Sequence, residues 1–432
     1  MNQIELLTRI KKYFKSSKTN SNNQKFYLSS FSATPGYAVL KKIEKNNLGL
    51  LIKNKIYFFH FLASLKLTNT KIFYKKITND FDSIILTWGS IKNFKKDGSF
   101  NDKYFNQNSR KNKNFLWFII SLDSKRPNKI DDNIVIFFQN NFSYLNFILF
   151  LLEIPKKLLL RVVGLNEKIS FYYLESLSIK IWNRLEKFTK TKKLKKIIMP
   201  YEAQPFQNYI FEKIKNYNKN IVTIGYVHST QPLPSHLFKR QGAPDKLYVH
   251  GNDQKYHCKK YLGWTKNQIK LSPSFRFLKK DKNNFKNKVF LPYDFSDSKF
   301  ILQLFENLVN HNSELINNNM EILLHPHTKQ SKKHQTLKVE MLKILKSNKS
   351  NRKYNKKIST IIIGDSSAVL EVLENKLKPY HICENQLSMC SKHIWPSIEV
   401  TKIFDNCYRY KLKKLNSCIN YKKNNKSLNF FK

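Results

Sequence analysis

Three short apolar runs, Ile197 to Met199, Ile221 to Ile224 and Lys246 to Val249, constrain the fold of this chain more than any other feature. Each has strand length, and each runs directly into polar residues, proline or glycine. Between the first two lies a helix-like span, Gln207 to Lys215. Strand, helix, strand is the order of a parallel α/β sheet, whose ligands sit beyond the carboxyl ends of the strands. Those ends are therefore the first places to look for chemistry. They hold Tyr201, Glu202 and Gln204 after the first run, His228, Ser229, Thr230 and Gln231 after the second, and His250, Gly251 and Asn252 after the third.

The same stretch, Ile197 to Phe277, contains YEAQPFQ, IGYVHSTQP, PDKLYVHG, LGW and SPSFR. In these pieces it resembles bacterial surface-carbohydrate biosynthesis proteins related to glycosyltransferases. More distantly, it is similar to bacterial sialyl- and polysialyltransferases and to CDP-glycerol glycerophosphotransferases. WGSIKNFKKDGSFNDKYFN from Trp88, and FLWFIISLDSKRP after it, extend the resemblance. It implies an α/β, GT-B-like fold, two Rossmann-like domains facing each other across a cleft, working without a bound metal. Sialyltransferase-like families place an acidic pair before glycine in the first domain and assign it acceptor activation. Here the corresponding residues are Lys96, Asp97 and Gly98, so the motif is broken and Asp97 reads as a turn residue.

A chain of 432 residues, 41% of them hydrophobic, is long enough for two such domains with proper cores. Lys and Arg number 78 against 30 Asp and Glu, a net charge of +48. Taken alone, that charge points to nucleic acid, an anionic membrane or a phosphorylated ligand. The abundance of Asn, Lys, Ile, Phe and Tyr beside only 10 Gly also fits coding DNA rich in A and T, which would spread lysines over solvated faces. Nucleic acid is disfavoured as a specific partner, because the aromatics fall in core-like strands and form no stacking platform. Five cysteines without a CxxC pair argue for a reduced, cytoplasmic setting. At the N-terminus, Ile4, Leu7, Ile10 and Phe14 recur at helical spacing among Arg9, Lys11 and Lys12. Such a helix either lies on a membrane surface or docks on the protein itself.

Lys25 to Ser30 reads as a first strand, with a weak anion-site signal at Gly36 in the helix start after it. Ser83 to Thr87 and Leu116 to Ile120 are further strands. Tyr144 to Ile154 is the most apolar run, too short for a membrane span, and Lys156, Lys157 and Arg161 follow it. Residues 1–277 form the expected acceptor-side domain and 278–288, charged and Asn-rich, the linker. A nucleotide-sugar domain then covers 289–409 and a basic tail 410–432. Within the second domain the sequence predicts strand Val289 to Tyr293, and a helix Lys299 to Val309 capped by Ser296 or Asp297. Strand Met320 to Leu324, helix Leu337 to Leu345, strand Ser359 to Ile363, helix Ala368 to Leu377 and strand Tyr380 to Cys383 follow.

Two motifs in that half carry the donor chemistry. EILLHPHTK puts His325 and Pro326 at a strand exit, where proline pushes the histidine towards an extended backbone. IIIGDSSAVLEVLE ends a strand at Gly364 and Asp365 and opens a helix with Ser366 and Ser367. Simple capping by Asp365 or Ser366 is the competing role. The resemblance assigns His-Pro and paired-serine motifs of this kind to the donor's phosphate, with Glu371 in reach of a ribose. On the other side, His228 is the candidate general base, and Glu202 either orients it or is itself the base. Glycerophosphotransferase-like proteins usually show His-Gly where this chain has His228 and Ser229. His236, in a Pro-punctuated loop, and His250, whose role could be packing alone, are less persuasive candidates than His228, and no metal site or cofactor is evident in the sequence.

The expected function is transfer of a sugar from a nucleotide-activated donor, CMP-linked ahead of UDP-linked, to a glycan or lipid-linked acceptor. The setting would be capsule or lipopolysaccharide assembly in the cytoplasm, with peripheral attachment to the membrane's inner face as an option. The alternatives are a glycerophosphotransferase, a GT-B-fold epimerase, or a non-catalytic basic scaffold that binds membrane or nucleic acid.

Overall fold

The structure, a computed structural model, describes residues 2–16, 70–75, 77, 81–111, 114–121, 123, 125–139, 178–228, 230–275, 285–311, 320–325, 328–347, 360–413 and 418. After helix α1 (Gln3–Ser16), the apolar runs become neighbours in an eight-stranded sheet. Its strands are β1 (Thr70–Tyr74), β2 (Ser83–Gly89), β5 (Phe115–Ser121), β6 (Ile134–Gln139), β7 (Lys196–Pro200), β8 (Val222–Tyr226), β9 (Lys246–Val249) and β10 (Ile269–Leu271). The short β3 (Asn101–Asp102) and β4 (Gln107–Asn108) pair separately, in the connection from β2 to β5. The spatial order is β1-β6-β5-β2-β7-β8-β9-β10, and every pair is parallel except β1 with β6.

From β2 the chain steps outward through β5 to β6, then returns to the other side of β2 and steps outward from β7 to β10. The sheet is thus a doubly wound, Rossmann-like one with its switch point between β2 and β7. Strand alternation divides the core cleanly: Ile84, Leu86, Leu116, Phe118 and Ile120 face one cluster, while Ile85, Trp117 and Ile119 face another. All of β5 is buried, as a central parallel strand covered on both faces must be. Helix α2 covers 178–189. Helix α3 (Pro205–Tyr217) starts with proline in its first turn and a reciprocal Gln204–Gln207 cap, and α4 (Asn252–Lys260) follows β9.

The second sheet has the order β12-β11-β13-β14-β16-β15. Strands β11 (Lys288–Phe290), β12 (Glu321–Leu323), β13 (Thr360–Ile363) and β14 (Tyr380–Ile382) are parallel, with a switch point between β11 and β13. Helices α5 (Ser298–His311), α6 (Lys332–Ser347) and α7 (Ala368–Glu374) accompany them. Asp297 caps α5 as expected, its Oδ1 accepting from the Phe300 N–H at 3.0 Å.

Several boundaries differ from the sequence reading. β11 stops at Phe290, two residues before Pro292, which has no N–H to give the ladder. α7 stops at Glu374, not Leu377, and Lys376 turns the chain with a left-handed φ of 63°. Tyr410 is no part of a loose tail: it is fully buried in β16 (Cys407–Leu412), which forms an antiparallel hairpin with β15 (Ile398–Phe404).

One apolar cluster joins β7, β9 and α3 to α7, Trp395 and Tyr410, so the two sheets share a core. At this joint Trp395, fully buried, donates its Nε1–H to the Pro232 carbonyl at 2.7 Å. Ser397 gives its N–H and hydroxyl to the Asp253 carboxylate at 3.0 and 2.8 Å. Of the two readings of the N-terminal helix, docking on the protein describes α1. Leu6 and Leu7 are buried, and the Gln3 amide donates to the carbonyls of Leu387 and Met389 at 2.6 and 2.7 Å. The five cysteines are free and buried. Among the described residues no helix is long and apolar enough to cross a membrane. The expected strand at Lys25 to Ser30 with Gly36, the run Tyr144 to Ile154 with its basic group, linker residues 278–284 and the tail beyond 418 lie outside the described residues.

Candidate functional site

The exits of β7 and β8 bring Glu202 and His228 into contact. His228 Nε2 lies 3.0 Å from Glu202 Oε1, and the other carboxylate oxygen accepts from the Gln204 side chain at 3.1 Å. A carboxylate only accepts, so Nε2 carries a proton towards Glu202, and in the neutral form of the ring the lone pair is on Nδ1. Nδ1 is buried and has no hydrogen-bond partner among the described residues. Burial works to raise the Glu202 carboxyl, but the His228 charge and hydrogen bond outweigh it and hold it down at about 2. Because that value is depressed, the carboxylate adds stability above its unfolded-state value and loses the contribution as pH falls towards 2.

The turn after Glu202 is held firmly. Ala203 sits at a φ of 55°, a left-handed conformation that costs a residue with a Cβ about 1 kcal/mol or more. Its carbonyl accepts from Arg240 and from the Asn208 side chain. Tyr201, buried beneath, bonds the same Asn208 at 2.7 Å, and Gly225 on β8 leaves it room: a Cβ there would come within 2.9 Å of the tyrosine ring. His236 is buried, senses Glu202, and is driven down to about 4 by burial. His250, the weaker candidate, is buried with its ring nitrogens set against the carbonyls of Ser272 and Val227, the latter next to His228.

Two residues of this cluster were missed from the sequence. The Tyr104 ring meets His228 edge-on with centroids 4.6 Å apart. Asp102, buried below it, accepts from the Thr87 hydroxyl and the Phe105 N–H, both at 2.6 Å, and interacts electrostatically with His228. Asp97, by contrast, is the turn residue expected: it accepts from the Ser99 N–H at 3.0 Å and pairs with Arg110 at 2.9 Å.

Burial pushes the Asp102 carboxyl up to about 6, against the hydrogen bonds it accepts. A folded-state value above the unfolded one stabilises the fold fully at low pH, and the contribution is lost as pH rises through about 6. Asp102→Asn, which cannot titrate, should therefore lose less stability than the wild type between about pH 4 and about pH 7. Urea midpoints at the two ends check this; equal losses in both proteins would show that Asp102 titrates normally.

The second sheet gathers the other motifs at its own carboxyl edge. His325 follows β12, and its carbonyl accepts the N–H and hydroxyl of Thr328 at 2.9 and 3.0 Å. Pro326, His327 and Ser229 lie outside the described residues. Gly364 ends β13 with a φ of 67°, and a Cβ there would meet the Pro292 ring at 2.9 Å. Its carbonyl accepts from His381 Nε2 at 2.7 Å, which leaves His381 Nδ1 to accept from the Tyr410 hydroxyl at 3.1 Å. That chain fixes the turn leading to Ser366. The N-cap of α7 is Ser367, which makes no side-chain cap bond, and the Ser366 hydroxyl one residue earlier accepts from the Ala368 N–H at 3.2 Å. Glu371 is buried, at 3% exposure.

No protein-family model matches the chain, and no curated protein matches it. Among solved structures it is similar to the N-terminal domain of trehalose-6-phosphate phosphatase from Candida albicans, with a TM-score of 0.33 and 10% identity over 72% of this chain and 85% of that one. It is also similar to a glycosyltransferase from Rickettsia africae ESF-5, with a TM-score of 0.32 and 9% identity over 73% of this chain and 88% of that one. Likeness at this level does not reach the chemistry of either protein.

Proposed function

We propose that the protein is a GT-B transferase that moves a sugar from a nucleotide-activated donor, CMP-linked ahead of UDP-linked, to a hydroxyl of a glycan or lipid-linked acceptor of the bacterial surface. The observation that carries this reading is the His228 ring, tied to Glu202 through Nε2 and with a buried Nδ1 that has no hydrogen-bond partner among the described residues, beside the β2/β7 switch point. An imidazole so oriented is built to take a proton. His228 Nδ1 accepts the acceptor's hydroxyl proton as that oxygen attacks the anomeric carbon. The bond from that carbon to the phosphate oxygen breaks, and the nucleotide leaves with the electron pair. Glu202 stabilises the imidazolium that forms. On the donor side, His325, Pro326, Ser366 and Ser367 meet the phosphate, while Glu371, buried inside α7, is out of reach of the ribose. The net charge of +48 suits acceptors held at an anionic membrane face.

The reading is tested by calorimetric binding of CMP, CDP and UDP at moderate salt, to the wild type, His325→Ala and Ser366→Ala. One nucleotide should bind, and both substitutions should weaken it. Binding of none, or binding indifferent to both residues, removes the donor site and leaves a scaffold.

A further inference from the structure

The second sheet reverses its winding between β11 and β13, and a switch point is where an open α/β sheet leaves a crevice for a ligand. The residue that β11 delivers there is Tyr293. At 62% exposure it is the most exposed large hydrophobic side chain among the described residues. The backbone around it is nevertheless fixed. The Leu291 N–H bonds the Leu323 carbonyl at 3.0 Å, and Pro292 packs on Gly364. Beyond it, Lys333 donates to the Phe295 carbonyl, covers that ring at 4.0 Å and pairs with Asp294 at 3.7 Å. The His325 ring stands edge-on to the tyrosine, with centroids 5.3 Å apart and planes at 80°. An aromatic ring held on a rigid corner, bare to solvent and braced by an imidazole, is preorganised to stack a flat partner.

We propose that Tyr293 is the platform on which the base of a nucleotide stacks, which makes the β11/β13 switch point a nucleoside-phosphate site. The inference rests on the transferase reading and deepens it. Neither the His-Pro nor the paired-serine motif includes this residue. Stacking recognises the π-face of any base, so Tyr293 contributes affinity, and the choice of base falls to other groups. Asp294 beside it is acidic, but its pairing with Lys333 offsets its charge against an incoming phosphate.

The test measures binding of CMP, CDP, UDP and inorganic pyrophosphate to the wild type, Tyr293→Ala, Tyr293→Phe and Tyr293→Trp. Tyr293→Ala should weaken the nucleotide that binds by about tenfold or more, while Phe and Trp keep it within about threefold. Pyrophosphate, which has no base, should bind all four proteins alike. If a nucleotide binds the wild type and Tyr293→Ala equally, stacking is overturned and the transferase reading stands. If pyrophosphate weakens in step with the nucleotide, Tyr293 acts on the phosphates and stacking is again overturned. If no nucleotide binds the wild type, the transferase reading falls and this inference falls with it.

Discussion

Replacing His228 by alanine should lower kcat by about a hundredfold to about ten-thousandfold, with KM for the donor nearly unchanged. The loss falls on kcat because the imidazole, in the proposed mechanism, acts on the acceptor's proton in the transition state and the donor binds elsewhere. Glu202→Gln should cost less, about tenfold to about a hundredfold, since the amide still reaches Nε2 but no longer opposes the charge that forms on the ring. The decisive variant is the double one. Glu202 touches the reaction only through His228, so adding Glu202→Gln to His228→Ala should cost nothing further. Steady-state rates of nucleotide release for the four proteins give the answer. Additive losses would make Glu202 the base in its own right, and unchanged rates in both single variants would remove the pair from the mechanism.

That pair was within reach of the sequence because each member follows a strand whose apolar run is unmistakable, and parallel strands align their exits. The contact itself needed β7 and β8 to be neighbours, as strand, helix, strand already implied. Asp102 and Tyr104 were out of reach for a different reason. They lie in the connection from β2 to β5, on a short ribbon that follows no hydrophobic period, and only the folded path lays them against His228. The Asp-Gly pair at Asp97 drew attention instead, and its geometry is that of a turn closed by Arg110.

In the second half the parallel strands and helices were legible from period and caps, and the β15–β16 hairpin was missed although its signal is present. Asp405 and Asn406 separate two runs of β-branched and aromatic residues, and Asn406 takes the left-handed φ of 62° that tight hairpins require. Reading Tyr410 onward as tail also hid the Tyr410–His381–Gly364 chain, whose members come from three strands or their exits. Tyr293 carries no sequence signal at all: a tyrosine at the end of an apolar run looks the same whether it is buried or bare. Burial is decided by neighbours that belong to β12, β13 and α6.

Trp395→Ala should cost about 3–5 kcal/mol of stability, the usual range for emptying a fully buried indole site. The indole fills the joint between the two sheets, edge-on to His257 with centroids 4.8 Å apart, and its N–H holds the Pro232 carbonyl. Pro232 belongs to the loop that begins at His228, so the same side chain links the second sheet to the proposed base. Trp395→Phe separates the two roles. It keeps most of the packing and removes the donor, leaving a carbonyl unsatisfied at a cost of about 1–3 kcal/mol. Urea midpoints followed by fluorescence order the proteins as wild type, Phe, then Ala if both contributions are real. Turnover measured well below the unfolding transition then shows what the hydrogen bond does for the site. A fall in kcat for Trp395→Phe, with nucleotide affinity unchanged, means that the bond holds the His228 loop in register. Wild-type turnover in the folded Phe variant confines Trp395 to holding the two sheets together, and the His228 loop then takes its position from its other contacts, among them His250 on the Val227 carbonyl and Glu202 on His228.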